Sequence, residues 1–171
     1  MTTKADLEAL VSREELPALT AAEEWRLPGD EEFPSPPEGY VVSLVAFHRC
    51  GFTVLAGDLI WGVLHEYEFE LQHLTPHGVL HMAVFVVLCE AFLGIRPHWE
   101  LFRYYFGFKI NEARLGSGRT SASIGCAVLQ MKSKRGRYYI ELPLPKSHHG
   151  WHLEWFYLKN DPVHPLPAFT G

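Results

Sequence analysis

The stretch HLTPHGVLHMAVFVVLCEAFLG, residues 73–94, opens with a histidine at every fourth position: His73, His77 and His81. A spacing of four stacks side chains on one helix face, and histidine is the commonest protein ligand for transition metals. A metal site is therefore the first reading to weigh, and Thr75-Pro76 decides against it. A threonine hydroxyl caps a free N–H at a helix start, and proline fits the first helical turn. The residue before a proline also avoids helical angles. The helix is expected to begin at about Pro76, which leaves His73 outside it. His77 and His81 alone make half a site. No glutamate follows the first histidine as the HExxH zinc pattern requires, and no Cys or Asp stands at a familiar ligand spacing. The expectation is no metal, and for His81 the role of a buried structural polar residue, hydrogen-bonded by a neighbour.

The rest of this helix is apolar on all sides, as in the middle of a bundle. Glu90 is its anomaly. A carboxylate there must be paired, protonated or turned to an edge. A buried structural pair with Arg96, Arg103 or a histidine is the expected solution, because catalysis would need a second acid or base beside it. Gly94 ends the helix, and Pro97 starts another with Trp99, Phe102, Arg103 and Phe106 on one side. That spacing suits a core face, with a base-stacking surface as the alternative.

Upstream, VVSLVAFHRCG reads as a helix ending at Gly51, with a strand possible for VVSLV. Leu55, Leu59, Ile60, Val63, Leu64 and Tyr67 follow the helical rule. After Lys109 comes the polar loop NEARLGSGRTSAS, and then three strand-like runs: ASIGCAVLQM, RYYIELPL and WHLEWFYLKN. The fold class expected is α+β, a helical bundle of about four helices followed by a small antiparallel β-meander. Residues 1–38, acidic and Pro-rich, read as an N-terminal arm with one short helix in ADLEALV. Residues 39–161 read as the globular domain, and residues 162–171 as a tail. The chain stops at LPAFTG without a closing element, as a fragment of a longer chain would.

The composition is globular: 171 residues, 47% hydrophobic and 20% charged. Cys50, Cys89 and Cys126 stand far apart among apolar neighbours, as buried free thiols do. No secretory pattern opens the chain, and the longest apolar run, MAVFVVL, is too short to span a bilayer. An intracellular protein without membrane partners is expected. The net charge of −5 hides an asymmetry: residues 1–38 carry −7, and residues 96–146 carry +7. The densest basic run is Lys132-Ser-Lys-Arg-Gly-Arg137. Lys132, Lys134, Arg135 and Arg137, with Arg114 and Arg119 in the preceding loop, are the candidate nucleic-acid-binding residues. A solvated hairpin tip is the other reading of that run.

Three blocks carry a family resemblance: EGYVVSLVAFHRCGF (38–52), LQHLTPHGVLHMAVFVVLCEAFLGIRPHWELFRYYF (71–106) and YYIELPLPKSHHGWHLEWFYLKND (138–161). From about Tyr40 to Asp161 the chain resembles the gypsy-type transposon domain of plant genomes, found in the gag-like part of long-terminal-repeat retrotransposon polyproteins. The resemblance implies no catalytic residues. In the family pattern the position of His77 is usually Asn and that of His81 often His, which fits a cap region and a packing histidine. Gag proteins assemble into particles and package RNA, so the resemblance implies self-association or RNA contact.

Other chemistries lack their residues. No zinc knuckle, P-loop or G-x-S-x-G occurs. Asp58 and Asp161 are the only aspartates of residues 39–161, too few to suggest a two-metal phosphoryl-transfer site. The expectation is a non-catalytic assembly or protein-interaction module, with no cofactor and no small-molecule substrate. The alternative is a nucleic-acid-binding domain that uses the 132–137 segment, weakly and in a salt-dependent manner.

Overall fold

The computed structural model describes residues 2–16, 24–52, 57–111, 124–132, 139, 150–163 and 165–167. Its centre is a short three-stranded antiparallel sheet. Strand β2 (Tyr40–Leu44) pairs with β5 (Trp155–Lys159) from Tyr40↔Lys159 to Leu44↔Trp155. Strand β1 (Trp25–Arg26) adds to the other edge of β5, which gives the order β1-β5-β2. Successive strand residues point to opposite faces. Tyr40, Val42, Leu44, Trp155 and Tyr157 join the main core, while Val41, Phe156 and Leu158 face a second cluster on the other side.

Helix α1 (Lys4–Ser12) covers that second face. Thr3 accepts a hydrogen bond from the Asp6 N–H, and Asp6 accepts one from the Thr3 N–H at 2.8 Å, a reciprocal capping box that fixes the helix start. Leu7, Leu10 and Leu16 are buried against Val41, Val45, Phe156 and Leu158. This corrects the reading of residues 1–38 as an arm. The leucines of α1 have an apolar sheet face to bury, and β1 supplies strand pairing from the same region.

The main core lies on the opposite face of the sheet. Helix α2 (Val45–Arg49) follows β2 directly, so VVSLVAFHRCG divides into strand and helix rather than forming one helix. Gly51 ends it at φ +83°, where a Cβ would approach the Ala83 Cβ to 3.3 Å. Helix α3 (Asp58–Glu66) buries Leu59, Ile60, Val63 and Leu64 on one side, while Leu55 lies outside the described residues. Helix α4 (Pro76–Val87) starts as expected: the Thr75 hydroxyl accepts from the Gly78 N–H at 3.1 Å and Pro76 occupies the first turn.

Helix α4 continues as a π-helix over Leu88–Leu93 and stops at Gly94, φ +64°. The Ile95 N–H closes this end on the Cys89 carbonyl at 2.9 Å. Pro76–Leu93 is the one helix among the described residues that is long and apolar enough to cross a membrane, by length and composition only. It is not buried all round. Val79, Met82, Phe85 and Cys89 enter the core, and Phe85 packs edge-on against Phe102 at 5.2 Å.

Helix α5 (Trp99–Tyr105) runs without a break into β3 (Phe106–Ile110), which pairs antiparallel with β4 (Ala127–Met131) as a separate two-stranded sheet. The class is α+β, but the strands do not form a meander after the helices. β5 pairs with β2, from before the helices, and β3 is a strand not expected from the sequence, ending just before the expected loop. Of the RYYIELPL run only Tyr139 lies within the described residues.

Candidate functional site

Of the nominated basic residues, Arg114, Arg119, Lys134, Arg135 and Arg137 lie outside the described residues. Lys132 is exposed beyond the end of β4. Its Nζ donates to the Arg103 carbonyl and its backbone N–H to the Tyr105 carbonyl at 2.8 Å, so it is tied to the α5–β3 junction. Arg103 itself pairs with Glu66 at 3.7 Å.

The three histidines occupy different environments. His73 sits in a 3₁₀ turn (Leu71–His73), where its Nδ1 accepts from the Glu70 N–H at 3.0 Å. Burial lowers its pKa, against the pull of Glu70. His77 and His81 are half-buried on α4. His81 packs 5.8 Å from the Phe106 ring, and its Nδ1 is enclosed with no hydrogen-bond partner, unlike the hydrogen-bonded histidine expected. Burial, and secondarily the neighbouring His77, lowers its pKa. Among the described residues no three His, Cys, Asp or Glu side chains converge as a metal site would require.

Glu90 is a correction. It is exposed, not buried in a pair: it lies one position past the buried Cys89 and so off the core face of the helix. Glu90→Ala is therefore expected to change the unfolding free energy by no more than about 0.5 kcal/mol, as for other surface sites. A denaturant titration at low protein concentration measures this; a loss of several kcal/mol would restore the buried-pair reading.

One buried polar arrangement has no sequence signature. Ser43, at the end of β2, and His48, on α2, meet at 2.9 Å between Oγ and Nε2. The Nδ1 of His48 lies 3.1 Å from the Glu15 backbone carbonyl. A carbonyl only accepts, so Nδ1 carries the proton and Nε2 accepts from the Ser43 hydroxyl. This resembles a nucleophile–base pair. However, Ser43 is 0% and His48 2% exposed, and the ring is enclosed by Phe52 and Phe156 at 5.4 and 5.5 Å. No substrate reaches it in this conformation; it fastens the end of the α1 segment to the sheet. Burial lowers the His48 pKa to about 4.

The surface feature is at the end of the central helix. Met82, Phe85 and Cys89 are buried at helical spacing, so residues 92 and 93 would be next on that face. Instead Phe92 is 76% and Leu93 63% exposed, and Val87 and Ile95 are exposed beside them. The π-helical turn widens the helix and changes which side the following residues face. A groove of about 520 Å³ adjoins this tip, lined by Gly51, Leu59, Met82, Val86, Val87 and Glu90 among others. Arg96 and Asp58 pair at its rim, 2.5 Å apart.

No curated protein and no solved structure matches the chain significantly. A family model does: β2 through β3, residues 41–110, including the central helix and its exposed tip, match the family described as "Putative gypsy type transposon".

Proposed function

We propose that this chain is a non-catalytic assembly or protein-interaction module of a gag-like retrotransposon protein. The observation that carries the reading is the exposed apolar tip, Val87, Phe92, Leu93 and Ile95, at the end of the central helix. Clustered exposed apolar side chains of this size mark interaction surfaces more often than scattered ones do. The tip lies inside the transposon-matched segment. A sealed Ser43–His48 pair and dispersed histidines are consistent with a structural role.

The test is to compare the full chain with Phe92→Asp and Leu93→Asp variants by light scattering after size exclusion. Loss of higher-order species with an unchanged circular-dichroism spectrum is expected. A chain that stays monomeric throughout, yet binds single-stranded RNA at physiological salt through Lys132, Lys134, Arg135 and Arg137, would overturn the proposal in favour of nucleic-acid binding.

A further inference from the structure

From the composition of the tip and its groove, and resting on the assembly reading above, we infer that the occupant of this surface is a second copy of the same chain, docked about a two-fold axis. Two observations carry it. The surface has both a convex apolar part, Phe92 and Leu93, and a concave one, the groove between α3 and α4. Val87 belongs to both, so the knob and the hole are contiguous. An isologous interface requires such a self-complementary patch, in which each copy gives what the other receives.

The charges fit the same operator. Glu90 and Arg96 flank the apolar tip in the chain, and both line the groove. A two-fold axis passing between them, beside Phe92 and Leu93, would bring Glu90 of each copy towards Arg96 of the other. Among the described residues Glu90 makes no ion pair, while Arg96 holds Asp58 from an exposed position. A guanidinium carries five N–H donors, so Arg96 can keep Asp58 and still donate to a second carboxylate.

A lipid surface is the competing occupant, since the helix is apolar enough for one. It fits less well. Peripheral membrane helices carry basic residues beside their apolar face, whereas the ionisable groups that line the groove are Asp58 and Glu90 against Arg96. An anionic bilayer would repel this rim, but a copy offering both signs would not.

Sedimentation velocity on the full chain over the micromolar range, at physiological salt, tests the inference. A concentration-dependent dimer is expected. Glu90→Arg should weaken it about tenfold, the size of a typical coupling between contacting charges. The double exchange Glu90→Arg/Arg96→Glu should restore it, because each copy then again offers one charge of each sign. Self-association that is indifferent to both variants, or is lost without rescue in the double exchange, would overturn the two-fold docking and leave the assembly reading standing. A chain monomeric at every concentration would overturn the inference and the self-assembly part of the reading above, leaving interaction with a different protein. A monomer that binds phosphatidylserine vesicles, and ceases to in Phe92→Asp, would assign the tip to a membrane instead.

Discussion

Leu10→Ala is expected to destabilise the protein by about 2–5 kcal/mol, the range for truncating a leucine inside a packed core. Leu10 is 1% exposed, and with Leu7 and Leu16 it fills the face of the sheet formed by Val41, Phe156 and Leu158. The cost combines lost apolar burial with the cavity left between helix and sheet, which the short strands cannot collapse to fill. Chemical denaturation followed by tryptophan fluorescence provides the measurement. An N-terminal arm separate from the domain would give a change within about 0.5 kcal/mol, as for surface substitutions generally. The result therefore decides whether the first sixteen residues belong to the folding unit.

Acidification should weaken the buried Ser43–His48 contact beside it. The folded state holds His48 neutral, with a pKa of about 4 against 6.5 for the free side chain. Between those values the unfolded chain takes up a proton that the folded chain refuses, so stability falls as pH falls. The contribution is fully present above about pH 6.5 and is lost by about pH 4. The shift corresponds to about 3 kcal/mol, at 1.36 kcal/mol for each tenfold change. His73 and His81, also held neutral by burial, act in the same direction. The loss should be centred where His48 meets Ser43, because Nε2 is the nitrogen that gains the proton and can then no longer accept from the hydroxyl, while Nδ1–H keeps donating to the Glu15 carbonyl. In practice, unfolding free energies are measured at intervals from pH 7 to 4 for the natural chain and for His48→Gln. Glutamine retains a donor and an acceptor but does not titrate, so its pH slope should be shallower by up to one proton. Equal slopes would show that His48 is not the group responsible.

The exposed tip and the buried histidine illustrate the same point from opposite sides. Glu90 looked like a charge trapped in an apolar helix because a helix apolar on all sides reads as the middle of a bundle, whereas one side of this helix stays uncovered. The π-helical turn after Val87 then changes which side Phe92 and Leu93 face. His48 sat in a segment read as a helix, with a strand as the alternative for VVSLV. Its link to Ser43 depends on the chain changing from strand to helix between Leu44 and Val45, and its link to Glu15 joins positions 33 residues apart.

By itself the sequence determined the features that local physics controls. Thr75-Pro76 set the start of the central helix and removed His73 from it; Gly51 and Gly94 set two helix ends through conformations that side-chain-bearing residues avoid. The strand-like run WHLEWFYLKN marked β5, though its first three residues form a 3₁₀ turn, and the apolar spacing of Leu59, Ile60, Val63 and Leu64 marked α3. Even the α1 start was legible, since Thr3 and Asp6 carry the capping-box spacing. Tertiary structure alone decided the partners. Which strand β5 pairs with, which face of the sheet α1 covers and which end of an apolar helix stays uncovered are choices among distant surfaces of similar chemistry. Burial of apolar area is non-directional, so a local pattern states that a face must be covered without stating by what. Strand order and helix placement settle that only when the whole chain has packed.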